Sequence, residues 1–82
     1  MIITIEISHY PLADDYEEPI MDFINRMKEH TDITMRTNAT STHLRGEISV
    51  LMPALQQEME TSFTVYGKGI FVMKVLNGCL EI

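Results

Sequence analysis

IITIEISHYPLADDY, residues 2–16, sets the reading of the whole chain. Ile3, Ile5 and Ile7 alternate with Thr4, Glu6 and Ser8, the period of two that marks a strand buried on one face. Pro11 removes a ladder donor and ends that strand. Asp14 or Asp15 then supplies an N-cap, and Glu18, placed three after Asp15, completes a capping box. From Tyr16 the apolar residues take helical spacing through Ile20, Phe23, Ile24 and Met27, which predicts an amphipathic helix to about Glu29. Pro19 falls in its first turn, where a missing N–H costs little.

Residues 33–38 (ITMRTN) are β-branched and alternate, and after a short Asn38-Ala39-Thr40 connection residues 41–48 (STHLRGEI) alternate again. Thr42, Leu44, Gly46 and Ile48 share one face of that strand, and Ser41, His43, Arg45 and Glu47 the other. Ser49 is the expected cap of a second helix, whose stripe is Leu51, Leu55, Met59 and Phe63. Pro53 then falls in its first turn, an echo of Pro19. Gly67 and Gly69 break the chain before a last strand, residues 70–76 (IFVMKVL). There Phe71, Met73 and Val75 form one face, while Ile70, Val72 and Leu76 crowd the other around Lys74. A strand apolar on both faces is expected to be covered on both.

The order β-α-β-β-α-β over residues 1–82 predicts one α+β domain, a ferredoxin-like sandwich with two helices on one face of a four-stranded antiparallel sheet. The first and third strands take its centre. Its other face is open and carries Ile70, Val72 and Leu76, an apolar patch of the kind that marks an interface. The expectation is a homo-oligomer, dimer or tetramer, joined through that face or its edge.

Composition narrows the partners. The 82 residues, 45% apolar, suit a single small globular domain. One cysteine, Cys79, leaves no intrachain disulfide and fits a reducing compartment. No apolar run approaches the roughly 18 residues of a membrane span, and the N-terminus lacks the features of a signal peptide. A cytoplasmic protein with no membrane partner is expected. A net charge of −6 with only six Lys and Arg argues against nucleic acid, which needs a basic face. A sheet that binds RNA also needs aromatics on its central strands, where Ser, Glu and His stand. The acidity fits a neutral or cationic small ligand better.

With Ile3, Ile5, Ile7 and Leu44 turned to the helices, Glu6, Ser8, Ser41, His43 and Arg45 project together from the open face. Burying such a set unpaired is costly, which leaves two readings. Glu6 and Arg45 pair across strands and fix the register, or the cluster holds a ligand. His9 and His43 stand singly with no third ligand at metal-like spacing, so no metal site is expected. Nothing resembles an activated nucleophile or tuned acid/base pair, and Asp14 and Asp15 read first as caps and solvated loop charges; the protein is not expected to be an enzyme. The methionines read as core filler. Tyr10 and Tyr16 flank the strand-to-helix turn, either as a hydrophobic staple or as rings that stack on a flat ligand.

The run Glu6-Ile-Ser-His-Tyr-Pro-Leu-Ala-Asp-Asp-Tyr16, with Thr40-Ser-Thr-His-Leu-Arg-Gly-Glu47 after it, resembles the YkoF-like thiamine- and hydroxymethylpyrimidine-binding family and its small single-domain relatives of unassigned function. Asn77-Gly-Cys79 is similar to the family's closing segment, so the likeness spans nearly the whole chain. It implies a ferredoxin-like fold associating through its sheets, a non-catalytic role without a cofactor, and a pocket for the aminopyrimidine of thiamine or its precursor. Some members carry two tandem copies; with one copy, oligomerisation has to supply the partner surface. The matching positions are Ser8 and Tyr10 on the first strand, Asp14 and Asp15 in the turn, Thr40, Ser41 and Thr42 leading the third strand, and Arg45 after them. His9 and His43 depart from the pattern, which has no fixed histidine there.

An aminopyrimidine needs a carboxylate or carbonyl for its amine, a hydroxyl donor for a ring nitrogen and an apolar or aromatic lid. Glu6 or an aspartate, Ser8 or Ser41, and Tyr10 or a methionine fit those roles. The expected ligand-binding set is therefore Glu6, Ser8, Tyr10, Asp14, Asp15, Thr40, Ser41, Thr42, His43 and Arg45. The competing reading is a structural or regulatory homo-oligomer in which the polar sheet residues only fix the interface.

Overall fold

An unbroken strand of 10 residues, β1 (Ile2–Pro11), opens the computed structural model, which describes residues 1–82. It is followed by α1 (Glu17–Lys28), β2 (Thr34–Thr37), β3 (Thr42–Glu47), α2 (Ile48–Tyr66) and β4 (Gly69–Leu76). The strands pair antiparallel in the order β2-β3-β1-β4, with β1 and β3 central as the sequence predicts. The architecture is the expected ferredoxin-like α+β sandwich.

The alternation of β1 decides where the core lies. Ile3, Ile5 and Ile7 are buried with Leu44 of β3 against Phe23 and Met27 of α1 and Leu51, Ala54 and Leu55 of α2. Each of these side chains larger than Ala54 contributes about 1.5–3 kcal/mol relative to exposure, which is what holds both helices to this one face. The α2 stripe is buried only over its first turns, and Phe63 at its far end stays exposed.

Polar groups also cross between the helices. Arg26 on α1 donates from Nη1 to the Glu58 carboxylate at 2.7 Å and to the Glu58 carbonyl at 2.8 Å, and from Nη2 to Ser62 Oγ at 2.6 Å. Its Nε donates to Asp22 at 3.0 Å, and His30 Nε2 lies 2.8 Å from the second Glu58 oxygen. Burial alone pushes the Glu58 carboxyl up, but the hydrogen bonds from His30 and Arg26 outweigh it and hold the group below its ordinary range.

β1 ends at Pro11, as the sequence predicts, but several expectations about the turn after it fail. Pro11 still lies opposite Gly69, because β1 pairs with β3 only as far as Ile7–Thr42 and beyond that with β4 alone. The Leu12 N–H returns to the Lys68 carbonyl at 3.3 Å, so strand alternation aims the Pro11 nitrogen at the free edge, where no ladder bond is lost. The helix starts at Glu17, with Tyr16 as N-cap and no side-chain cap bond. The capping box at Asp15 and Glu18 does not form, and Asp14 and Asp15 are exposed in the loop. Tyr10 and Tyr16 are each more than half exposed, which rules out a buried staple.

Ser49 is no cap either. β3 runs into α2 without a loop: Glu47 still pairs with Ile2, and the Ile48 N–H bonds to the Met1 carbonyl at 3.0 Å. Because the helix begins at Ile48, Pro53 sits inside it rather than in its first turn, and the echo of Pro19 is not structural. Gly67, at φ +79°, closes α2 through a 3.0 Å bond from its N–H to the Phe63 carbonyl.

The edge strand β4 is apolar on both faces, and within one chain most of it stays exposed: Val72 on the open face is 54% exposed and Val75 on the helix side 50%. The helices sit mainly over β1 and β3, and of β4 only Phe71 packs on the core.

The chain then turns back over the open face. Thr4 Oγ1 donates to the Gly78 carbonyl at 2.7 Å and accepts from the Leu80 N–H at 3.1 Å, while Arg45 Nη1 donates to the Leu80 carbonyl at 2.7 Å. This strap buries Thr4. The expected Glu6–Arg45 pair is absent, because the register sets Arg45 opposite Thr4, and Glu6 opposite His43 and Lys74. No helix is long and apolar enough to cross a membrane.

Candidate functional site

Where β1 outruns β3, a notch opens beside His9, Tyr10 and Pro11. α1 walls one side through Ile20, Phe23 and Ile24, and the β2–β3 hairpin walls the other from Thr37 to Thr42. This inner cleft holds about 80 Å³. Pockets that enclose drug-sized ligands run to roughly 300–1,000 Å³, so anything larger than a small ring must extend outward. The outward part exists: Tyr10, Pro11, Ala13 and Tyr16 continue the wall, with His9, Ile20, Ala39 and Thr40 common to both halves.

The hairpin is held in shape by one side chain. Asn38 Oδ1 accepts from the backbone N–H groups of Thr40 and Ser41, both at 2.9 Å, and the Asn38 N–H closes the turn on the Ser41 carbonyl at 3.0 Å. Ser8 Oγ then donates to the Thr40 carbonyl at 3.3 Å, which ties the turn to β1. Thr42 faces the helix side, buried, its hydroxyl 3.3 Å from that of Thr37. The groove is thus lined by hydroxyls on one wall and aromatic or aliphatic carbon on the other.

His9 stands between the walls. Its ring stacks on Phe71 at 4.0 Å with a 14° tilt and meets Phe23 edge-on at 5.8 Å. Nδ1 is buried without a hydrogen-bond partner. Burial first, and the Arg26 charge second, hold the imidazole below its ordinary pKa.

The ten expected site residues fall into four places. Tyr10, Thr40, Ser41 and Thr42 line the groove, with Ser8 behind them. Glu6 and His43 sit on the open sheet face, where Glu6 lies 3.4 Å from His43 Nε2, 3.5 Å from Lys74 Nζ and 3.5 Å from Ser41 Oγ. Asp14 and Asp15 line neither half of the groove, and Arg45 is held by the strap at the opposite end. The sequence reading missed His9, Asn38 and Phe23. His9 lies in phase with Ile3, Ile5 and Ile7 on the first strand, which marks it as turned to the helices, but the sequence reading weighed it only as a metal ligand.

No family model and no curated protein matches the chain. Solved structures do. A hypothetical protein of Methanocaldococcus jannascii is similar with a TM-score of 0.82 and 19% identity, over 99% of this chain and 84% of its own. A candidate thiamine biosynthesis/salvage protein of Thermotoga maritima gives 0.72 and 14%, over 95% and 85%. A domain of unknown function, DUF77, from Bacillus cereus gives 0.66 and 18%, over 92% and 74%. These share its fold. At such identities the likeness establishes architecture, and function has to be argued from the groove.

Proposed function

We propose that the protein is a non-catalytic binding protein for a small flat metabolite of the thiamine or hydroxymethylpyrimidine type, related to the YkoF-like family that its sequence resembles. The groove at the end of β1 carries the reading. It offers a flat ring two aromatic surfaces at its mouth, Tyr10 and Tyr16, and hydroxyls from Thr40, Ser41 and Thr42 along one wall. The net charge of −6 suits the cationic thiazolium of thiamine. The Thermotoga maritima structure, whose name concerns thiamine biosynthesis or salvage, supports the same ligand class through the shared fold.

Calorimetry and thermal melting against thiamine and hydroxymethylpyrimidine test it. Saturating ligand should stabilise the protein, by about 2.7 kcal/mol at a hundredfold excess over Kd. An unchanged melting temperature at millimolar concentrations of both ligands overturns the reading.

The second reading, a structural or regulatory homo-oligomer, is favoured by β4, an edge strand whose apolar side chains lie exposed on both faces. The two readings are compatible, since β4 leaves the groove mouth free. Dimers or tetramers in a sedimentation experiment, returned to monomers by Val72→Lys, are the expected result; a clean wild-type monomer at micromolar concentration removes this reading.

A further inference from the structure

We propose that the groove selects by charge: it admits flat rings that are neutral or cationic and turns away the same rings once they carry a phosphate ester. The inference rests on the binding reading above and assigns the chemical form of the ligand.

Space decides where a substituent must go. The inner cleft, about 80 Å³, has no room for more than a small ring, so the tail of a larger ligand lies in the outer half, against Ala13 and Tyr16. Those two residues flank Asp14 and Asp15, and Glu17 and Glu18 open α1 directly after them; all four carboxylates are exposed. None is spent on the helix, because α1 starts without a side-chain cap bond. A helix start by itself attracts a phosphate, but its dipole is equivalent to about half a positive charge. Four full negative charges beside it reverse the sign of that field.

The groove wall does not offset this. Phosphate sites are built from Lys, from Arg or from the free backbone N–H groups of a turn. Neither half of the groove is lined by a Lys or Arg. Arg26, beyond Phe23, is committed to Asp22 and Glu58, and Lys68 lines a separate hollow with Leu12 and Phe63. The hairpin N–H groups of Thr40 and Ser41 are both taken by Asn38 Oδ1. His9 adds no charge at neutral pH, since burial first and the Arg26 charge second hold its imidazole below the ordinary pKa. The hydroxyls that remain suit the nitrogens of an uncharged ring, whereas a phosphate brought among them loses water without gaining a charged partner.

Calorimetry with four probes tests it: hydroxymethylpyrimidine and thiamine, each beside its own monophosphate. Each pair shares its rings, so the ratio of affinities reads the phosphate alone. Wild type at low salt should bind each free compound roughly tenfold or more tightly than its ester. Exposed charges are screened beyond about 10 Å at 0.1 M salt, so at roughly 0.5 M the ratio should shrink at least about threefold. A variant combining Asp14→Asn, Asp15→Asn, Glu17→Gln and Glu18→Gln should lose discrimination to a similar extent at low salt. An ester that binds wild type as tightly as the free compound, or more so, overturns the proposal. A ratio unmoved by salt overturns it as well, and so does one unmoved by the variant. Should the variant not fold, the salt dependence of wild type decides. Wild type that binds none of the four probes overturns the binding reading itself, whereas equal binding of free and esterified forms removes this inference alone.

Discussion

Arg26 reaches from α1 to Glu58 and Ser62 on α2, and each of its nitrogens finds an acceptor within 3.0 Å; across Phe23, His9 keeps a buried nitrogen that nothing answers. The two places share a helix and an aromatic ring, and the same cation lies 5.9 Å from that ring's centre. They differ in what lies beyond them. The interhelical network centres on the buried Glu58 carboxylate, whose charge had to be paired for the chain to fold. The end of β1 borders a groove, and there His9 packs among aromatic rings with no charged partner in contact. Satisfied polar groups mark the places that hold the fold, and the unsatisfied one marks the place where the fold is left unfinished.

The strongest way to break this contrast is to spoil the finished side. Glu58→Ala leaves Arg26 and His30 without their carboxylate, and loss of one partner of a buried pair costs about 3–5 kcal/mol; the urea midpoint should fall accordingly. A variant within about 0.5 kcal/mol of wild type would show the network to be ornamental. Thr4→Val comes next. It removes the hydroxyl that both donates to Gly78 and accepts from Leu80, at a cost of about 1–3 kcal/mol, and amide exchange at Leu80 should accelerate while exchange at Ile5 does not.

Asn38→Ala acts on the unfinished side. Losing the side-chain acceptor of the hairpin should cost about 1 kcal/mol in stability but more in ligand affinity, because the turn that presents Thr40 and Ser41 loosens. Equal losses in both quantities would mean that the hairpin does not shape the groove.

The smallest effect is the pH slope. Both Glu58 and His9 titrate below their ordinary values when folded, so each favours the folded state most above its unfolded pKa and loses that advantage as pH falls through the folded one. The windows separate: His9 acts just below 6.5 and Glu58 below 4.5. Melting temperature should decline from pH 7 to pH 5 in wild type and decline less in His9→Phe; identical slopes would remove His9 as the cause.

Much of the architecture was legible because its signals are local. The Ile3-Ile5-Ile7 alternation and the Phe23, Ile24, Met27 spacing each fit within one element and survive whatever surrounds them. Register was not local. Whether Glu6 faces Arg45 or His43 depends on the offset between β1 and β3, and the observed offset sends Arg45 to the Leu80 carbonyl, 35 residues onward. Glu58 was hidden for the same reason: it reads as solvated helix surface, and its partner Arg26 lies 32 residues away. At the groove, Tyr10, Thr40, Ser41 and Thr42 came from motif likeness, while His9, in phase with Ile3, Ile5 and Ile7, was weighed only as a metal ligand.

The place of β1 at the centre of the sheet also sets a schedule for folding. One of its edges pairs with β3, complete once residue 47 is made, but its other edge pairs with β4 from Leu76 back to Gly69. A ribosome adding about 5–20 residues per second leaves that edge bare for some seconds after the first three strands can assemble. Through that interval the isoleucine-rich strand offers unpaired backbone to any neighbouring chain, so crowding of nascent copies, more than heat, is the hazard this order of strands creates.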